Sequence, residues 1–351
     1  MAKINLTKLT NWEYWPWYMF YIPNLPYAIY LAIKAKSLVF FSATNPCISH
    51  SGNGSESKYK TLELIPKKFI PKTIFIQKNE TFKWVLNQIL ENNLEFPLII
   101  KPDIGFRGLL VKQIHSTKDL EEYLAKNNCI DLILQDFIDY KNECGIFYHR
   151  IPTEENGKIS SITLKKFLTV HGDGKTTLEN LILNDDRAQH YIDLLREIHK
   201  EKLQKTPYNN EEVLLTVIGN HAKGTQFLNG NHLISKELED SIDAFMKQIP
   251  GFYYGRLDLK FNSFENIIKQ NEFKVLEING IIAEPTHIYD ASKNTYFNAL
   301  KGFRKHWKIM YKTAIANNKK GIMFDSVSDF LGSLKQLKKY TSFIKKHSLS
   351  S

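Results

Sequence analysis

Two short segments constrain this chain more than any other part of it. Gly255-Arg-Leu-Asp-Leu-Lys-Phe261 and Phe273-Lys-Val-Leu-Glu-Ile-Asn279 both alternate apolar and polar residues, the period of a half-buried β-strand. Successive side chains of a strand point to opposite faces, so Arg256, Asp258 and Lys260 share one face and Leu257, Leu259 and Phe261 the other. Glu277 and Asn279 point the same way at the end of the second strand, just before an irregular loop that starts at Gly280. Two carboxylates and an amide oxygen on adjacent strands are hard oxygen ligands on a rigid platform, which suits Mg²⁺ holding nucleotide phosphates. Arg256, two residues from Asp258 on the same face, can brace the charge that phosphoryl transfer creates. Either segment alone reads more simply as a half-buried strand with solvated charges. The pair, with the arginine, does not.

At 351 residues the chain is long for one domain, and two or three packed subdomains are expected. Its 43% apolar and 24% charged residues place it among ordinary globular proteins and not among disordered ones. Cys47, Cys129 and Cys144 show neither a pairing pattern nor metal spacing, which fits a reducing compartment and argues against a disulfide framework. The start lacks a basic region followed by an unbroken apolar core and a small-residue cleavage site, so no cleavable signal is expected. Residues 301–351 hold 12 Lys or Arg against Asp325 and Asp329, which accounts for the whole net charge of +10. The remainder is neutral, so the basic balance implies no nucleic-acid groove in the body of the protein.

Gly255-Arg-Leu-Asp258 on one strand and Leu276-Glu-Ile-Asn279 on the next resemble the metal site of the ATP-grasp ligases, especially the D-alanine–D-alanine ligase-like branch. The resemblance implies Asp258, Glu277 and Asn279 as ligands of Mg²⁺, or of Mn²⁺, and Arg256 as the residue that stabilises an acyl phosphate. It also implies an α+β ATP-grasp fold, in which two subdomains, each a sheet with helices, clasp Mg²⁺–ATP between them.

The rest of the chain supplies motifs in that family's order. From Tyr14 to Ile33 there is no charge, and the run is dense in tryptophan and tyrosine. It has the length of a membrane span, but Pro16, Pro23 and Pro26 break any single helix, and the aromatics suit an interface better than a hydrocarbon centre. Packing against the domain, interfacial membrane contact and a true span stay open. Residues 37–42 read as a buried strand and 45–57 as a loop. A helical stretch from Lys58, a strand at 72–76, a helix capped by Thr81 and a buried strand at 96–101 follow. The strand ending in Lys101 runs into Pro102-Asp-Ile-Gly-Phe-Arg-Gly108, either a phosphate cradle or an ordinary turn. By position, Lys58 and Lys101 match the two nucleotide lysines of the family. A further strand is expected at 109–111, and a helix from Ser116 or Thr117 to Lys126.

Residues 132–148 read as two strands joined by a polar connector. Matched to the family's hinge, they put Gln135, Phe137 and Ile138 beside adenine and Glu143 on the ribose. The usual hinge has Glu where this chain has Gln135, and is one residue longer. Val170-His-Gly-Asp-Gly-Lys-Thr-Thr-Leu178 resembles the Gly-Asp-Gly-Lys loop of the cyanophycin-synthetase-like members, with Gly172, Gly174 and Lys175 closing on phosphate; it reads equally as a tight turn before a capped helix. Residues 184–210 read as surface helix and linker. A strand at 213–218 leads to His221 and Lys223, which either meet an acyl phosphate or a carboxylate or are solvated. A helix over 235–248 precedes the two metal strands. The loop 280–290, with Glu284, His287, Tyr289 and Asp290, either recognises substrate beside the γ-phosphate or is simply shaped by Pro285 and Asp290.

The resulting expectation has four parts: an aromatic segment and loop (1–57), a first ATP-grasp subdomain (58–134), a second carrying the metal site (135–317) and a basic tail helix (318–351). The implied activity is ATP-dependent ligation of a small-molecule carboxylate and amine, forming an amide or peptide bond through an acyl phosphate. Phosphoryl transfer without ligation, and a catalytically silent membrane- or partner-binding module of the same shape, are the alternatives. Apolar residues between Phe324 and Ile344 recur at helical spacing, with Lys335, Lys338, Lys339, Lys345 and Lys346 between or beyond them. That helix either packs on the body or, together with the aromatic run, holds a cytoplasmic enzyme peripherally on the anionic inner face of the membrane. Nothing in the sequence sets the oligomeric state.

Overall fold

A computed structural model of the protein describes residues 11–105 and 108–350. Eleven strands among these residues form three sheets in which every pairing is antiparallel, giving the α+β class. The first sheet has the order β1-β4-β2-β3, from β1 (Thr73–Ile76), β2 (Leu98–Pro102), β3 (Lys112–Ile114) and β4 (Leu132–Asp136). Two helices cover it, Phe82–Glu91 and Thr117–Asn127. Thr81 and Ser116 cap them by accepting hydrogen bonds from the amides of Trp84 and Asp119. Val85, Ile89, Leu120 and Leu124 of the helices meet Leu98, Ile100, Leu132 and Leu134 of the strands in one apolar cluster.

The second sheet has the order β11-β10-β5-β6-β9, from β5 (Asn142–His149), β6 (Lys158–Lys166), β9 (Gln226–Asn229), β10 (Tyr254–Phe261) and β11 (Phe273–Asn279). Helix Lys236–Met246 turns Leu238, Ile242, Phe245 and Met246 onto its apolar face, against Leu257, Leu259 and Phe261. The face of β10 with Leu257 and Leu259 is therefore core, which leaves Arg256, Asp258 and Lys260 on the other face. A small sheet of β7 (Thr169–His171) and β8 (Glu212–Leu214) carries the helices Leu178–Asn184 and Ile192–Ile198.

The aromatic run packs on the body through one stripe. Helix Tyr18–Tyr21 buries Phe20 between the rings of Tyr289 and Tyr296, and helix Leu25–Ala35 buries Leu31 and Ala35 near Ala314 of the long helix Tyr296–Lys319. Pro23 falls in a single 3₁₀ turn that separates the two short helices. Among the described residues no helix is long and apolar enough to cross a membrane. The loop that follows is pinned to the second sheet: Asn45 Oδ1 accepts from the amides of Tyr253 and Tyr254, and its Nδ2 donates to the Tyr254 carbonyl. The carbonyls of Ser51 and Gly52 accept from the amides of Ile281 and Ile282, fixing the loop after β11.

Three expected strands differ. Residues 37–42 form no strand; the backbone closes into the 3₁₀ turn Phe40–Ala43, with Ser42 and Thr44 bonding three residues back. Residues 109–111 are a turn, since Leu110 has φ of 55°, which a ladder does not accept, and pairing starts at Lys112. In 213–218 the ladder covers only Glu212–Leu214, because β7 offers three residues to pair with. The tail helix spans Val327–Ser350 and buries Phe330 against Phe41 and Ile344 in the cluster over the first sheet. Lys335, Lys338, Lys339, Lys345 and Lys346 are exposed.

Candidate active site

The antiparallel register of β10 and β11 sets Arg256 opposite Asn279 and Asp258 opposite Glu277. The register then skips Leu276, a bulge that turns that residue's carbonyl outward. Asp258 is buried and held by a bidentate arginine, with Arg256 Nε 2.9 Å from Oδ1 and Nη2 3.2 Å from Oδ2. Burial alone would raise the Asp258 pKa, but the charges of Arg256 and Lys165 outweigh it and hold the carboxyl below its ordinary range. Asn279 Nδ2 lies 3.5 Å from Asp258 Oδ2. The neighbouring strand leaves room for this cluster at Gly145, the cross-strand partner of Asp258. A Cβ at Gly145 would sit 2.9 Å from Arg256 Cδ and 3.2 Å from Asp258 Oδ1.

The first sheet faces this platform across a cavity of about 620 Å³. Lys101, at the end of β2, donates to the bulged Leu276 carbonyl at a long 3.4 Å. Burial, with Lys58 close by, lowers its pKa to about 8 against the pull of Glu277, Glu143 and Asp258. Lys58 opens the short helix Lys58–Glu63, capped by Ser57, and its amide donates to the Asp103 carbonyl after β2. Its Nζ donates to the Gly105 carbonyl at 2.9 Å and stands 3.5 Å from Glu277 Oε1. The middle of this loop, Phe106 and Arg107, lies outside the described residues.

Gln135, Phe137, Ile138 and Glu143 line the same cavity along the connector between the sheets. Gln135 spends its amide on Thr73 Oγ1 at 2.8 Å. Glu143 is buried and accepts from Lys165 Nζ at 2.7 Å, while the same ammonium is 3.7 Å from Asp258 Oδ2. Burial would strip the proton from Lys165, but Asp258 and Glu143 overcome that and raise its pKa. A Cβ on Gly219 would fall 2.2 Å from Glu143 Oε1, so any other residue there would push the carboxylate from this position. Glu284 completes the wall at the far end: its carboxylate accepts from Tyr21 at 2.6 Å and Tyr289 at 2.8 Å, and its carbonyl accepts from Arg256 Nη1 at 3.2 Å.

Six of the expected residues lie off this wall. Tyr289 meets it through Glu284. His287 is partly buried with its Nδ1 enclosed and unpartnered, and burial lowers its pKa to about 4. Asp290 shapes the loop, accepting from the amides of Asn229 and Ser292. His221 stands 2.9 Å from Glu13, which also pairs with Arg187 at 2.8 Å, so it ties the N-terminal segment down. Lys223 lies against Gly108. In the loop before helix Leu178–Asn184, the amide of Lys175 donates to Asp173, a turn contact. Lys165 and Lys260 are the cations of the wall that sequence reasoning left unassigned. The alternation of β6 carries Lys165 onto the same face as Thr163, but only the β5–β6 pairing reveals that this face looks at Asp258.

No family model matches the chain, and no curated protein does. Among solved structures it is similar to the D-alanine–D-alanine ligase from Bacillus anthracis complexed with ATP, with TM-score 0.44 and 13% identity over 78% of this chain and 71% of that one. It is similar to the VanG D-Ala:D-Ser ligase from Enterococcus faecalis, with TM-score 0.42 and 15% identity over 77% of this chain and 64% of that one. It is also similar to a bifunctional glutathione synthetase from Pasteurella multocida, with TM-score 0.36 and 14% identity over 71% of this chain; the matched part spans 36% of that synthetase.

Proposed function

We propose that the chain is an ATP-grasp enzyme that joins a small-molecule carboxylate to an amine, consuming ATP and releasing ADP and, when the amine displaces it from the acyl phosphate, inorganic phosphate. The supporting observation is the placement of Asp258 against Glu277 and Arg256 against Asn279, facing Lys58 and Lys101 of the other sheet across one cavity. Units 58–134 and 135–317 would close on the nucleotide.

The donor set fits a hard divalent cation, because Asp258, Glu277 and Asn279 offer only oxygens on a paired backbone. These three residues would hold Mg²⁺ or Mn²⁺, which when bound neutralises charge on the nucleotide phosphates. The bidentate grip of Arg256 now occupies both oxygens of Asp258, so Arg256 is positioned to shift from the carboxylate to charge developing beside it. Lys58 and Lys101 would hold phosphate oxygens. An anion at Lys101 offsets the desolvation that lowers its pKa. Phe137 and Ile138 supply an apolar seat for adenine at the connector, and Glu143, held by Lys165, an acceptor for ribose hydroxyls. The carboxylate substrate would be activated as an acyl phosphate next to Arg256, and Glu284 lies on the side from which the amine would come. ADP release measured against a panel of amino acids, hydroxy acids and amines tests this reading. Release with a carboxylate alone, unchanged by any amine, would favour phosphoryl transfer without ligation.

A specific observation favours contact with a membrane surface as well. Ile29, Ile33 and Leu38 near the N-terminus and Leu331 and Leu334 in the tail helix are exposed apolar side chains, and the tail helix adds exposed lysines. Two such weak signals together can hold a protein on an anionic bilayer where one does not.

A further inference from the structure

A second cavity, of about 510 Å³, adjoins the first and is walled almost entirely by carbon. Helix Leu25–Ala35 contributes Leu31 and Ala32, helix Tyr296–Lys319 contributes Trp307 and Met310, and the tail helix contributes Phe330 and Leu334. The one imidazole in the wall, His306, is buried and pushed well below its ordinary pKa by that burial, so it brings no charge. The volume is that of a small-molecule site, and a wall so poor in polar atoms gives water little to bond. Ile33 and Leu38 line the cavity yet are each 71% exposed, so it opens to the outside along the N-terminal helix.

Tyr21, Ile282 and Ala283 belong to the walls of both cavities. The polar group at this boundary is the Glu284 carboxylate, bonded to the hydroxyls of Tyr21 and Tyr289, one peptide away from Ala283. Arg256 Nη1 touches the Glu284 carbonyl, so the boundary is also the edge of the candidate reaction centre. A ligand lying across it needs an apolar body on one side and, by charge complementarity with Glu284, a cationic end on the other.

We propose that the apolar cavity holds the hydrocarbon chain of the amine substrate, a long-chain amphiphilic primary amine that binds as the ammonium at Glu284 and gives that carboxylate a proton before its nitrogen displaces phosphate from the acyl phosphate. This rests on the ligase reading above and supplies its substrate class. An enzyme resting on a bilayer would draw such an amphiphile in through the mouth at Ile33 and Leu38.

The test titrates n-alkylamines from butylamine to dodecylamine, each below its critical micelle concentration, into the full chain with Mg²⁺. Binding is read by calorimetry, and ATP affinity is measured in the same samples. The dissociation constant is expected to fall about fourfold per added methylene until the cavity is full. Dodecylamine should bind about tenfold tighter than dodecanoate, and Glu284→Gln should erase that preference. Ala32→Phe, which fills the cavity, and Ile33→Glu, at an exposed position that the fold tolerates, should each weaken dodecylamine about tenfold and leave ATP affinity unchanged. Affinity independent of chain length, dodecylamine binding unchanged in both variants, or a preference for dodecanoate would overturn the proposal. ATP binding with a flat chain-length series sinks the cavity assignment alone. A steep series without any ATP binding sinks the ligase reading, and with it the assignment of the amine as a substrate.

Discussion

Lys101, at the end of a strand in the first sheet, reaches the bulged carbonyl of Leu276 in the second, 3.4 Å away. A single ammonium thus bridges the two sheets where the candidate phosphate site lies, and burial lowers its pKa to about 8.

Phosphate binding should therefore depend on pH through Lys101. Its charged form binds an anion better, so bound nucleotide raises its pKa, and ATP affinity should be full below pH 8 and fall as pH rises through that value. Lys101→Met should weaken ATP binding roughly tenfold or more at pH 7 and remove the dependence above pH 8. Calorimetric titration of ATP at pH 7 and pH 9 checks both. Unchanged affinity in the variant would remove Lys101 from the phosphate site.

Lys165 faces two buried carboxylates at once, Glu143 at 2.7 Å and Asp258 at 3.7 Å. Removing one partner of such a buried set leaves uncompensated charge, which costs about 3–5 kcal/mol. Lys165→Met should lower the melting temperature sharply, and adding Glu143→Gln should restore part of the loss. A double variant no more stable than the single one would show that Lys165 and Glu143 are not coupled.

Acid should loosen the junction between the second sheet and helix Tyr296–Lys319. His149 and His287 have pKa values lowered to about 4 by burial, burial lowers that of His306 as well, and the Nδ1 atoms of all three are buried without a partner. Their folded pKa values lie below the unfolded value of 6.5, so the unfolded chain takes up protons first. Their contribution is complete above about pH 6.5 and is lost as pH falls toward 4, by on the order of 3 kcal/mol for each of His149 and His287. Thermal melts between pH 8 and pH 4.5 should show this slope, and His306→Phe should make it shallower. A flat profile down to pH 5 would contradict it.

Membrane contact makes a prediction that depends on charge alone. Deleting the tail would unroof Ile344 and the first-sheet core, so charge reversal is the better probe. Full-length protein should sediment with anionic liposomes at low salt and be released at high salt, at roughly 1 kcal/mol per lysine near the surface. Lys335→Glu, Lys338→Glu and Lys339→Glu together should abolish sedimentation. Equal sedimentation of this variant at low salt would sink the idea.

What could be read from the residues alone was local. Alternation marks β10 and β11 because their faces differ, and Thr81 and Ser116 announce helix starts through their own side chains. The turn at Phe40–Ala43 was not legible, since its apolar run suits a strand until tertiary contact puts Phe40 against Tyr311. Nor was Lys165 legible as a partner of Asp258. That depends on β5 lying between β6 and β10, and β6 and β10 are far apart in sequence. His221 shows the same effect in reverse. Its polar neighbourhood suggested a reacting group, but its partner is Glu13, 208 residues away.

ADP release by the wild-type chain and by Asp258→Asn, assayed side by side with Mg²⁺–ATP and the carboxylate and amine panel, tests the ligase account most directly. The same is done for Glu277→Gln. The wild type should release ADP only when both a carboxylate and an amine are present. Each variant should lose that turnover by roughly a hundredfold or more; Glu277→Gln should melt within a few degrees of the wild type, whereas Asp258→Asn, which strips the buried partner of Arg256 and Lys165, should melt lower. Wild-type-like ADP release by either variant would contradict the metal site at Asp258 and Glu277, and the ligase reading built on it.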